Sequence, residues 1–129
     1  MLKNFFEKKY DIFYAICRVL VGFLFMAHGA QKLFGVFGGT KQTLMSLMGA
    51  AGIIEFIGGI AIMIGLYTSY VAIIAAIVML VAYFKAHAAN GLMPIVNKGE
   101  LALLYFAVFL VIMAQGSRKF AVDNLFKKK

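Results

Sequence analysis

The chain has 129 residues, of which 64% are hydrophobic and 14% charged, with a formal net charge of +8. Soluble domains carry about 45–50% apolar and about 25% charged residues, and a chain this short has no interior large enough to hide the excess from water. The composition therefore points to lipid as the surrounding solvent, and the continuous rather than alternating apolar runs argue against a β-barrel.

Residues 1–11, "MLKNFFEKKYD", read as an interfacial lead-in with Phe5, Phe6 and Tyr10 at headgroup depth. Four apolar segments follow, at about residues 12–34, 49–66, 70–88 and 99–115, and a spanning helix needs about 20 mostly apolar residues. The fourth reaches that length only by including Gly99, Glu100 and Gln115. The expected fold is an all-α, integral membrane four-helix bundle forming a single domain over residues 1–129. Arg18 interrupts the first run and no small-x-small cleavage pattern follows it, so this segment reads as a mature helix rather than a signal peptide. In "GVFGGTKQTLMSLMG", the periodicity after Thr40 predicts a short helix on the outer surface. "LYTSY" predicts a tight turn, and "HAANGLMPIVNKGE" joins the last two spans, with Asn90-Gly91 and Pro94 as breakers.

The basic residues cluster at the two ends: Lys3, Lys8 and Lys9, then Arg118, Lys119 and Lys127 to Lys129. Lys/Arg excess marks cytoplasmic flanks, so both termini are expected in the cytoplasm, as an even number of spans permits. That distribution accounts for the charge without nucleic acid, and the partner it implies is the lipid bilayer. Arg18, near the inner end, reads as snorkelling to lipid phosphate. Cys17 has no second cysteine to pair with and reads as a buried small hydrophobe. Gly58, Gly59, Ala61 and Gly65, then Ala72 and Ala76, supply small surfaces for close helix packing.

This topology gathers scattered polar residues. His28, Gln31 and Lys32 share one face within a turn, and Glu55 lies one and a half turns below the same surface. Lys85, His87 and Asn90 end the third span, and Glu100 begins the fourth. At ~1.5 Å rise per residue these groups fall in a layer roughly 10 Å deep. Ionisable groups in a membrane face partners or wet cavities, so Glu55 is expected to pair with Lys32 or His28. Glu55 and Glu100 are the candidate proton-exchanging groups, and His28, Gln31, Lys32, His87 and Asn90 the candidate ligand-binding ones. Lys85 reads as snorkelling to headgroups, and Glu100 equally as a helix-dipole partner. No metal site is expected: there is no H-x-x-x-H or compact E-x-x-H spacing, and lysines lie nearby.

The succession "KLFG", "EFIGG", the His ending "VAYFKAH", "GELALLY" and "GSRKFAVD" resembles the DoxX family of small four-helix membrane proteins, over about residues 16–123. The resemblance implies a bacterial or archaeal multi-pass plasma-membrane protein with Glu55, His87 and Glu100 among its characteristic polar positions. It also implies a subunit of a redox-associated system that handles quinone or thiol/sulfur compounds, as in the membrane subunit of thiosulfate:quinone oxidoreductases. Other membrane or redox subunits, or further copies of the chain, are the partners implied. The sequence carries no flavin, haem or iron–sulfur motif, so no cofactor is evident in it and electrons are expected from a partner or bound substrate; quinone is the cofactor the resemblance implies. If catalytic, the chain is expected to be a quinone-linked oxidoreductase subunit that needs a partner. A non-catalytic membrane scaffold or assembly factor, and a small proton-coupled transporter, are the alternative functions.

Overall fold

The computed structural model describes residues 1–127; Lys128 and Lys129 of the basic tail lie outside the described residues. Helix α1 runs over Leu2–Phe34, 33 residues, so the expected lead-in is a continuation of the first span. At 1.5 Å per residue it is about 50 Å long, against about 30 Å of hydrocarbon. It ends at Gly35, whose φ of 69° suits a left-handed cap and whose N–H reaches the Gln31 carbonyl. The helix expected after Thr40 does not form. The Gln42 N–H bonds instead to the Lys32 carbonyl at 2.7 Å, folding the loop back on the end of α1. Ser46 then caps α2 (Leu47–Ile64), its hydroxyl accepting the Gly49 N–H at 3.0 Å.

After a tight turn at Gly65 and Tyr67 comes α3 (Thr68–Ala82), which continues through a π-helical turn, Tyr83–His87, and a 3₁₀ turn, Ala88–Asn90. A short α4 (Pro94–Asn97), the apolar α5 (Glu100–Gln115) and a short α6 (Asp123–Phe126) complete the chain. The described residues contain no strand. Among the described residues, three helices are long and apolar enough to cross a membrane: α1, α2 and α3 with its extension; α5, 16 residues, is shorter.

Helix packing is dominated by two pairs, α1 with α2 and α3 with α5. Helices α1 and α2 meet backbone to backbone: a Cβ on Gly22 would lie 2.7 Å from the Gly59 carbonyl oxygen, and one on Gly29 would lie 2.7 Å from that of Gly52. Seven residues separate the two glycines on each helix, so one face of each is bare at the crossing. Helices α3 and α5 pack through Ala72, Ala75 and Ala76 against a core that includes Phe109 and Ile112. Phe25 joins the pairs, edge-on to Phe109 with ring centroids 4.8 Å apart.

The end of the bundle that holds Arg18 is closed by the segment after α5. The Tyr14 hydroxyl donates to the Gly116 carbonyl at 2.5 Å, and Arg18 donates to the carbonyls of Ser117 and Phe120, each at 2.6 Å. Arg18 is 1% exposed, so it does not snorkel: these carbonyls offer its guanidinium better partners than lipid phosphate. Cys17, one position and about 100° round the helix, is correspondingly exposed rather than buried. Asp11 pairs with Arg118 at 2.8 Å and Lys119 at 3.3 Å.

Asp123 caps α3 from a distance, accepting the N–H of Tyr67 at 2.6 Å and the N–H and hydroxyl of Thr68, each at 3.1 Å. Burial pushes its carboxyl up, but hydrogen bonds from Thr68, Tyr67 and Ser117 outweigh burial and hold it below its ordinary value of 3.8. A carboxyl depressed by folding stabilises the fold above its unfolded pKa, and that stabilisation is lost as pH falls through the folded value. Asp123→Asn is therefore expected to lower the thermal midpoint at neutral pH, and its deficit relative to wild type should shrink as pH drops below 3.8. Midpoints of both proteins across an acid pH series check this; a deficit independent of pH counts against the cap.

Candidate functional site

The glycine contact that joins α1 to α2 also sets the polar chemistry. With Gly29 against Gly52, Lys32 lies across α2 and its Nζ donates to both carboxylate oxygens of Glu55, at 2.5 and 2.6 Å. Glu55 is 1% exposed, whereas the Lys32 side chain keeps 21% of its surface. Of the two partners expected for Glu55, lysine is the one that bonds.

The pair faces a chamber of about 250 Å³ lined by Phe25, His28, Met79, Ala82, His87, Lys98, Leu101, Ala102 and Tyr105. His28 stands one helical turn before Lys32 and meets the Tyr105 ring edge-on, centroids 5.9 Å apart. His87 arrives by the π-helical turn, in which the Ala88 N–H reaches the Tyr83 carbonyl, an i→i+5 bond. Such turns are rare and recur at functional sites because they redirect a helical side chain.

The loop beyond His87 is held by Asn97, 3% exposed. Its amide donates to the Tyr83 hydroxyl at 3.1 Å and the Gly91 carbonyl at 2.8 Å, and its side-chain oxygen accepts the Gly99 N–H at 2.8 Å. The Tyr83 hydroxyl in turn donates to the Leu92 carbonyl at 2.6 Å. The Asn97 carbonyl lies 3.1 Å from His87 Nδ1. A carbonyl only accepts, so Nδ1 carries the proton, and Nε2 is the acceptor nitrogen of the neutral ring. Nε2 has no protein hydrogen-bond partner among the described residues. The chamber lining includes two lysines, one glutamate and two histidines beside an apolar wall of Phe25, Met79, Leu101 and Ala102.

His28, Lys32, Glu55 and His87 thus come together. The other candidates do not. Gln31 turns away, donating to the Phe37 carbonyl at 3.0 Å and anchoring the loop after α1. Asn90 is exposed at the end of the 3₁₀ turn, and Glu100 is exposed in the first turn of α5, where its charge complements the helix dipole. Lys85 is exposed, as expected of a snorkelling lysine. Sequence reasoning missed Tyr105, Lys98 and the bracing Asn97. The signals were modest: a tyrosine inside "GELALLY" and a polar "NKG" between breakers.

A wider depression of about 750 Å³ lies at the Arg18 end, lined by Asp11, Arg118, Lys119 and Asp123 among others. Its carboxylates are committed to the salt bridges and the helix cap described above, so its chemistry is structural. The chamber is the candidate site.

A family model described as DoxX matches residues 13–88. The chain belongs to the DoxX family. The matched stretch contains His28, Lys32, Glu55 and His87, while Lys98 and Tyr105 lie beyond it. This DoxX chain is 38% identical over 133 residues to an uncharacterized protein of Haemophilus influenzae, covering 98% of the chain and 99% of that relative. It is 30% identical over 132 residues to the inner membrane protein YqjF of Escherichia coli, covering 95% of the chain and 98% of YqjF. No solved structure gives a significant match. Family, relative and apolar helices together make this DoxX chain a multi-pass bacterial inner membrane protein.

Proposed function

We propose that this DoxX protein is the quinone-binding membrane subunit of a redox system, with four spans, both termini in the cytoplasm and the chamber towards the outer face. The observation that carries the reading is a small chamber, lined by two lysines, a glutamate, two histidines and a tyrosine, built where α1, α2, α3 and α5 meet. A bound quinone supplies an acceptor for two electrons and two protons. The residues present suit such a group: donors and acceptors converge from several helices, and an apolar wall faces them.

The chain's own residues have separable tasks. Lys32 and Lys98 bring positive charge that favours an anionic ring oxygen. His87, oriented by the Asn97 carbonyl, offers Nε2 as acceptor when neutral and as donor when protonated. Lys32 and Glu55, bonded at 2.5 and 2.6 Å, form an acid–base pair that holds or releases a proton at the chamber wall. Electrons enter from a partner subunit, because the sequence has no flavin, haem or iron–sulfur motif; that partner handles the thiol or sulfur donor.

Turnover and quinone affinity of the complex purified in native lipid test the reading. Glu55→Gln and His87→Ala are each expected to lower turnover by about 100-fold, the lower range for loss of a general acid–base group. Unchanged turnover and affinity in both variants would remove the assignment.

A scaffold or assembly role is favoured by a different observation: Glu55 is already fully matched by Lys32, as a register-fixing ion pair would be. Gentle purification that yields an obligate partner subunit and no bound small molecule decides for that role.

A further inference from the structure

The chamber adjoins a second space. An apolar groove of about 760 Å³ runs between the start of α2 and the last turns of α3, walled by Ala51, Ile54, Ile77, Val78 and Val81. Lys32, Ala82 and His87 line both groove and chamber, so the two spaces meet at these residues. Helix α2 sets its glycine face against α1, and the groove lies on its side towards α3.

We infer that the groove holds the apolar chain of the ligand whose polar head occupies the chamber, making the substrate class a long-chain quinone taken from the bilayer. The inference rests on the quinone reading above. Size supports the division: the chamber, about 250 Å³, is smaller than the roughly 300–1,000 Å³ of sites that enclose a whole drug-sized ligand. Only a headgroup fits it. Polarity supports it too, because the groove's ionisable residues are Lys32, Lys85 and His87, on the helical turns that adjoin the chamber. An apolar chain gains little by exchanging lipid for an apolar wall. The groove therefore acts by position: it admits the ligand sideways from lipid and delivers the ring to Lys32 and His87.

Equilibrium binding to the full chain in lipid nanodiscs tests this with two probes: a dimethoxy-methyl benzoquinone without a side chain, and the same ring carrying a decyl chain. Val78→Trp and Ile54→Trp fill the groove from its two walls, and neither replaces a chamber-lining residue. Both probes are expected to bind the wild type. Each variant is expected to weaken the decyl probe by about tenfold or more while leaving the tailless ring within about twofold; retained ring binding shows that the variant is folded. If the tailless ring fails to bind the wild type, the chamber reading falls and this inference falls with it. If the ring binds the wild type but both probes respond alike to both variants, whether unchanged or equally weakened, the groove assignment alone is overturned.

Discussion

Lys32→Met is expected to destabilise the protein by about 3–5 kcal/mol, the range for stranding one member of a buried ion pair. The stranded group is Glu55, 1% exposed, whose two oxygens both depend on Lys32 Nζ. Glu55→Met should cost less, because Lys32 is partly exposed and its long stem can carry the ammonium outward. The double variant Lys32→Met/Glu55→Met should recover most of the loss, since a packed apolar pair of similar volume is often neutral or better than the ion pair it replaces. Unfolding midpoints of the wild type, both single variants and the double variant form a closed cycle. Additive single effects would mean that the two side chains do not depend on each other, contrary to the geometry.

Gly29→Ala is the second large effect. The added Cβ would stand 2.7 Å from the Gly52 carbonyl oxygen and against the Phe56 backbone nitrogen, neither of which can move as a flexible side-chain tip moves. Helices α1 and α2 must separate at the level where Lys32 reaches Glu55. Overpacking of this kind costs about 1–3 kcal/mol, and the stretched ion pair adds to it. Gly58→Ala is the matched control: its Cβ would meet only Val71 Cγ1 at 3.4 Å and Phe25 Cε1 at 3.8 Å, ordinary contacts. There the gain in helix propensity, up to about 1 kcal/mol, offsets any crowding. Equal stability of the two variants would show that α1 and α2 do not touch through Gly29.

These two predictions mark what can be read from one-dimensional spacing. Three of the four expected apolar spans were legible from length and hydropathy, and the Lys32–Glu55 contact was legible because a lone carboxylate in "GIIEFIGG" demands a cation. The glycine seam was written in the sequence as well, at intervals of seven, yet the small residues singled out above for close packing include Gly59 but not Gly22, Gly29 or Gly52. Arg18 read wrongly because a cation near the end of an apolar helix ordinarily finds lipid phosphate. Its real partners, the carbonyls of Ser117 and Phe120, lie 99 and 102 residues away. Asn97 and Lys98 were hidden for a related reason. Their roles come from a loop folding back on a π-helical turn, and neither hydrophobic period nor charge pattern encodes that return. Gln31 and Asn90 show the reverse error: sharing a helical face with His28 or His87 did not place them in the chamber, since each lies where its helix gives way to loop.

The closure of the Arg18 end has a consequence for biogenesis. Arg18 sits in α1, but the carbonyls that receive its guanidinium belong to Ser117 and Phe120, synthesised 99 and 102 residues later. Until the ribosome has passed those codons, α1 holds an unsatisfied cation in or beside the bilayer. Water or lipid headgroups are the partners left to its guanidinium during that interval. The segment after α5 thus closes over Arg18 only after it has been made, and a nascent chain arrested before Ser117 is expected to keep Arg18 open to the aqueous face.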